Sequence, residues 1–155
     1  MKLISHRGNI DGINKERENS PDYILEALNK GYEVELDIWY TWKDSKFDWF
    51  LGHDEPTYDF NFVGFVPYFD KMWFHCKNLD ALYKIIEWDI HYFWHQNDDF
   101  TLTSKNYIWT FPGKPLTDRS ICVLPEKYLL LESQLMNCAG ICSDYIERYK
   151  KLLNI

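Results

Sequence analysis

Several features that would indicate particular protein classes are scarce in this sequence of 155 residues. Its cysteines, Cys76, Cys122, Cys138 and Cys142, include no Cys-x-x-Cys pair, which argues against a zinc ribbon or a disulfide scaffold. No stretch approaches the ~18 consecutive apolar residues of a membrane span. The segment Met1–Arg7 also lacks the apolar run of a signal peptide. We therefore expect reduced thiols, no membrane span and a cytoplasmic location.

Basic residues are fewer than acidic ones, 17 against 24, and the formal net charge is -7. Because binding to a nucleic-acid backbone needs a basic face, we expect no nucleic-acid partner. Apolar residues make up 46% of the chain and charged residues 26%, which is typical of a folded globular protein. We find no linker, repeat or low-complexity stretch, so residues 1–155 are predicted to form a single domain.

Strands and helices alternate along the chain, which predicts parallel β/α units. Ser20 and Pro21 suit the N-cap and first position of a helix that Gly31 ends. Further helices are predicted at Leu79–Trp88 and Tyr145–Leu153. Strands are predicted at Lys2–Ser5, Tyr32–Tyr40, Phe47–Leu51, Met72–Cys76, His91–His95, Tyr107–Phe111, Ile121–Leu124 and Gly140–Ser143. In such folds the chemistry lies at the carboxyl ends of the strands.

Two carboxylates, Glu35 and Asp37, share one face of the second predicted strand. Like charges ~4 Å apart repel by about 4 kcal/mol at an effective dielectric of 20. A divalent cation such as magnesium or calcium would relieve this repulsion, since both prefer oxygen ligands. A solvated strand face or an internal salt bridge is the alternative.

The neighbouring strand ends carry side chains that suit phosphate chemistry. His6 and His53 suit proton transfer, because the imidazole pKa is ~6.5, and Arg7 and Lys77 are phosphate-binding side chains. Each alone has a plain structural interpretation, and the segment His95–Asp99 can equally be a polar loop. Together they indicate metal-assisted attack on a phosphorus centre.

These motifs resemble the glycerophosphodiester phosphodiesterase family of phosphatidylinositol-phospholipase-C-like barrels. The likeness is carried by motifs in matching order from residue 1 to about 78, namely His6-Arg7-Gly8, Glu18-Asn19-Ser20-Pro21, Glu35-Leu36-Asp37, His53-Asp54 and Lys77. Ile108-Trp109-Thr110 and Gly140-Ile141-Cys142-Ser143-Asp144 are similar to late strands of that family.

The resemblance implies a metal-dependent phosphodiesterase on an α/β, TIM-type β/α barrel. It implies His6 and His53 as general acid and base, and Glu35 and Asp37 as ligands of a divalent metal. Arg7 and Lys77 would bind the phosphate, although Lys77 could instead contact a ligating carboxylate, and Glu18 would orient neighbouring groups. Trp109 is a candidate for a wall that stacks against a sugar or base of the substrate.

This chain departs from the family in two ways. His75 stands where the family usually has a third acidic ligand, so three alternatives are open: nitrogen ligation that favours manganese or zinc, a site with two carboxylates and water, or weak or absent metal binding. The chain is also shorter than the ~250 residues of such a barrel. We expect a reduced, trimmed barrel, with closure by a second copy in a homo-oligomer left open.

The leading expectation is a small phosphodiesterase that acts on a small-molecule phosphodiester with a glycerol-phosphate-like or sugar-linked group. The alternative is a non-catalytic module that binds phosphate esters. A nuclease-like enzyme is disfavoured by the acidic charge.

Overall fold

A computed structural model describes residues 1–128 and 130–155 of the chain. These residues form one sheet of ten strands together with four α-helices and two short 3-10 segments, Phe62–Lys71 and Pro125–Lys127. The strands are β1 (Lys2–His6), β2 (Glu33–Lys43), β3 (Lys46–Leu51), β4 (Tyr58–Asp59), β5 (Met72–Cys76), β6 (His91–Phe93), β7 (Phe100–Leu102), β8 (Ile108–Thr110), β9 (Ser120–Val123) and β10 (Gly140–Ser143). The helices are α1 (Pro21–Asn29), α2 (Leu79–Ile85), α3 (Glu132–Met136) and α4 (Ile146–Leu152).

The sheet is mixed and forms a half-barrel, so the prediction of a reduced TIM-type β/α barrel was wrong. Eight strands follow the order β4-β3-β2-β1-β10-β9-β8-β7, while β5 pairs with β2 and β6 with β5. The pairs that involve β3, β4 and β7 are antiparallel. The physical reason is chain length, because a TIM barrel needs eight strand–helix units. Here the longest described α-helix has nine residues, and turns or 3-10 segments make several connections.

The central strands are nevertheless parallel, and this positions the candidate site. β1 lies between β2 and β10, and β5 lies on the other side of β2, all in parallel register. Their carboxyl ends therefore meet at one edge of the sheet. β2 continues past this edge and returns as β3, which ends just before Gly52 and His53.

Alternation along β2 separates a hydrophobic core from the polar site. Val34, Leu36 and Ile38 are fully buried and pack in a cluster with residues of the helices α1 and α2. Glu35 and Asp37 point to the opposite face, as the period of two predicts. A second cluster on that face joins side chains of six strands: Ile4, Trp73, Phe93, Trp109, Ile121, Val123 and Cys142.

Most predicted elements are confirmed with small shifts of their bounds, and Met72–Cys76 and Gly140–Ser143 are strands as predicted. The second helix ends at Ile85, before the predicted Trp88. The short elements β4, β7 and α3 were missed, since two to five residues carry too little periodicity. Within the described residues no helix has both the length and the apolar character that crossing a membrane requires.

Candidate active site

The site lies where the carboxyl ends of the parallel strands meet. His6 ends β1, Asp37 lies in the middle of β2, His75 is near the end of β5, and Asp144 directly follows β10. Arg7 turns the chain after β1 through a left-handed backbone conformation, with φ of 55°. Parallel pairing thus collects residues that are up to 138 positions apart in sequence.

Asp37 is the centre of the cluster, and its carboxylate is 0% exposed. Oδ2 lies 2.9 Å from Arg7 Nε and 3.1 Å from His53 Nδ1, while Oδ1 lies 3.0 Å from His75 Nδ1 and 3.2 Å from Lys77 Nζ. Burial would raise the pKa of Asp37, but the His53 and His75 hydrogen bonds and the Arg7 charge outweigh it and hold that pKa well below its usual value. Asp37 is therefore ionised.

Asn19 and Glu18 position the cluster from the loop before α1. Asn19 donates from Nδ2 to Asp37 Oδ2 at 2.9 Å, and its Oδ1 accepts from the Asp37 backbone amide. Glu18 Oε2 lies 3.3 Å from Arg7 Nη1 and its Oε1 accepts a hydrogen bond from Asn9. Glu18 therefore contacts Arg7, so its position agrees with the orienting role that the resemblance implies.

His6 is oriented by a buried carboxylate that the sequence interpretation missed. His6 Nδ1 lies 2.7 Å from Asp144 Oδ1, and Asp144 also accepts from Asn9 Nδ2 at 2.8 Å. Burial opposes ionisation of Asp144, but the hydrogen bond to His6 prevails and lowers the Asp144 pKa. One feature of the sequence could have identified Asp144 as a site residue. It directly follows the last predicted strand, where this class of fold places functional groups.

The two histidines thus have the same arrangement. Each has Nδ1 against a carboxylate, Asp144 for His6 and Asp37 for His53. Each leaves Nε2 on the other side, where His6 Nε2 is 3.9 Å from Glu35 Oε2 and His53 Nε2 is 3.3 Å from Arg7 Nη2. An imidazole held at Nδ1 by a carboxylate has a fixed orientation and can exchange a proton at Nε2.

Glu35, Asp37 and His75 offer ligand atoms that lie within 4.8 Å of one another, and all three are buried. Donors held ~2.1–2.6 Å from one divalent ion are up to about 5 Å apart, so the three fit a single ion. Among the described residues, Glu35 Oε2 and His75 Nε2 are buried with no hydrogen-bond partner. Two carboxylates and an imidazole are a donor set suited to manganese or zinc as well as magnesium.

The pKa values of His75 and of its neighbour His95 are shifted in opposite directions. Burial would lower its pKa, but hydrogen bonds to Asp37 and Glu35 raise that pKa above its ordinary value. The ring stacks on His95 with centroids 4.6 Å apart and planes 1° apart. Burial and the charge of His75 lower the pKa of His95. Within the stacked pair a proton is therefore favoured on His75 over His95.

Trp109 lines a cavity of about 240 Å³ whose walls also include His6, Arg7, Glu35, His53 and His75. It is 6% exposed, and its ring centroid lies 4.5 Å from that of Phe93. Lys77 is close to the cluster but is not part of this cavity lining. The structure therefore brings together all eight residues that were expected in the site, namely His6, Arg7, Glu35, Asp37, His53, His75, Lys77 and Trp109. Trp109 is mostly buried and packs against Phe93.

No protein-family model matches this sequence, and neither a curated protein nor a solved structure is significantly similar to it.

Proposed function

We propose that this protein is a metal-dependent phosphodiesterase that acts on a small phosphodiester, with a site similar to that of glycerophosphodiester phosphodiesterases. The observation that carries the proposal is the pair of carboxylate-oriented histidines, His6 with Asp144 and His53 with Asp37, which line one cavity together with Arg7. Displacement at phosphorus needs one group that accepts a proton from the nucleophile and another that donates one to the leaving oxygen. Two oriented imidazoles supply both.

In the proposed reaction Arg7 binds the phosphate oxygens and offsets their charge, while Lys77 contacts the ligating carboxylate of Asp37. One imidazole accepts the proton of the attacking hydroxyl, either water or a substrate hydroxyl beside the phosphate, as the new P–O bond forms. The other imidazole donates a proton to the oxygen of the P–O bond that breaks. A divalent cation held by Glu35, Asp37 and His75 would supply Lewis-acid stabilisation of the charge on phosphate.

The direct test is turnover of bis(p-nitrophenyl) phosphate and of glycerophosphodiesters with added magnesium, calcium, manganese or zinc. We expect His6→Ala and His53→Ala each to lower kcat by about 10²–10⁴-fold. His91→Gln is the matched control, since His91 is a buried histidine that does not line this cavity. Wild-type turnover in both alanine variants would contradict the proposal.

A non-catalytic module that binds phosphate esters is the second candidate. One observation favours it: Asp37 is already surrounded by Arg7, Lys77 and His75. These groups neutralise the carboxylate without any metal ion. Calorimetry separates the two functions, because a module would bind phosphate esters equally well in EDTA and in manganese and would turn none over.

A further inference from the structure

Two cavities share Arg7, the proposed phosphate-binding residue. The cavity of about 240 Å³ described above and a second, more open one of about 550 Å³ both include Arg7 and His53 in their walls. A phosphodiester has two ester groups that leave the phosphorus in different directions. A phosphate held at Arg7 therefore has one cavity available for each ester group.

The second, larger cavity is polar. Its walls include Lys15, Glu18, Asn19 and Thr57, which offer ammonium, carboxylate, amide and hydroxyl groups. Such groups can satisfy the hydroxyls of a polyol or a sugar. This side suits the glycerol-like or sugar-linked group.

Part of the lining of the first cavity is an apolar wall. This wall is formed by Trp109, Phe111 and Pro112 at the end of β8, and by Val123 and Leu124 at the end of β9. Among the described lining residues beyond the catalytic cluster, the ionisable groups on this side are His95, Asp98, Lys127 and the Tyr128 phenol, and the last three are exposed. A hydroxyl-rich group placed against the apolar wall would lose hydrogen bonds to water and gain few in return.

The aromatic ring of Tyr128 packs closely over Gly113 at this wall. Gly113 has φ of +79°, and a Cβ there would lie 2.6 Å from the Tyr128 ring, so only glycine leaves room for it. Leu124 adopts a left-handed conformation with φ of 45° just before the 3-10 segment that leads to Tyr128. The rings of Phe111 and Tyr128 are each 49% exposed, so both remain available to a ligand.

We infer that the substrate is an amphiphilic phosphodiester, with a polar alcohol in the larger cavity and an apolar or aromatic ester group against Phe111, Leu124 and Tyr128. This inference rests on the proposed function, because it places the phosphate at Arg7. It departs from a substrate whose two ester groups are both polar alcohols.

Phosphate monoesters test the two cavities one at a time, since each carries a single ester group. Calorimetry in the presence of manganese measures the Kd of phenyl phosphate and of glycerol phosphate. We expect Tyr128→Ala to weaken phenyl phosphate binding by about tenfold, with a change below about twofold for glycerol phosphate. Lys15→Met is expected to have the opposite effect. Tyr128→Phe retains the ring and should bind like wild type, as should Tyr83→Ala, an exposed tyrosine outside both cavities.

Two results would overturn the inference. The first leaves the proposed phosphodiesterase function standing, and the second contradicts the proposed phosphate site as well. If Tyr128→Ala weakens both esters equally or neither, the cavity assignment is wrong, while turnover of bis(p-nitrophenyl) phosphate still supports the phosphodiesterase. If neither ester binds the wild-type protein, the phosphate site at Arg7 fails together with the inference.

Discussion

The substitution Asp37→Asn keeps the shape of the side chain and removes the charge at the centre of the site. In the wild type, four basic side chains, Arg7, His53, His75 and Lys77, each place a nitrogen within 3.2 Å of its two oxygens. Removing one partner from a buried charge cluster typically costs ~3–5 kcal/mol, because the other charges remain buried without compensation. Glu35 remains nearby and offsets part of this cost. We therefore expect a loss of about 3 kcal/mol in the free energy of unfolding.

Urea denaturation followed by tryptophan fluorescence measures this loss. With a slope of about 2 kcal/mol per M, a loss of about 3 kcal/mol lowers the midpoint by roughly 1.5 M. Asp54→Asn is the matched control, since Asp54 also faces His53, at 3.7 Å from Nε2, but its side chain is 95% exposed. Exposed ion pairs contribute ~0–1 kcal/mol, so this control should unfold close to wild type.

The result that would refute this reasoning is an Asp37→Asn protein at least as stable as Asp54→Asn. Repulsion between Asp37 and Glu35 would then outweigh the attraction to the surrounding cations. In that case the wild-type cluster would store unfavourable energy that a bound cation relieves, and manganese should raise the Tm of the wild type but not that of Asp37→Asn.

Two further predictions concern residues outside the catalytic cluster. Burial, together with the charge of Lys2, lowers the pKa of His91 to about 3 from 6.5. Below pH 6.5 His91 therefore binds a proton in the unfolded chain but stays neutral in the folded protein. The free energy of unfolding should fall by about 2 kcal/mol between pH 6.5 and 5. Urea unfolding of His91→Gln at both pH values should lack this contribution, and an unchanged pH dependence would contradict the assignment. Gly52 has φ of +150°, and a Cβ there would lie 2.0 Å from the Glu55 carbonyl oxygen. Gly52→Ala should lower the Tm well beyond Gly31→Ala, where φ is +92° but nothing lies within 4 Å, and equal Tm values would contradict this steric argument.

Much of the site could be predicted because its information is local. The spacing of Glu35 and Asp37 places both carboxylates on one strand face, whatever the strand packs against. Their position beside His6 and His75 followed from one further rule, that parallel strands end at a common edge, whereas His53 reaches the site through the antiparallel return of β3. That rule needs only the parallel pairing of the central strands, which the half-barrel retains.

The pairing of Asp144 with His6 could not be predicted from local sequence patterns. It is separated from its partner His6 by 138 positions, and only the pairing of β10 with β1 brings the two together. The residues that line the cavities could also not be predicted from the sequence pattern. Phe111 and Tyr128, for example, lie in short loops that have no periodicity.

The sequence by itself determined eight of the ten strands, the polar face of β2 and the residue types of the candidate site, since alternation and turn chemistry depend on near neighbours. The tertiary structure decided that the sheet remains a mixed half-barrel and does not close into a helix-covered barrel. It also decided which carboxylate holds which histidine. Both outcomes depend on contacts between distant segments, whose free energy is set by packing and burial and not by any local pattern.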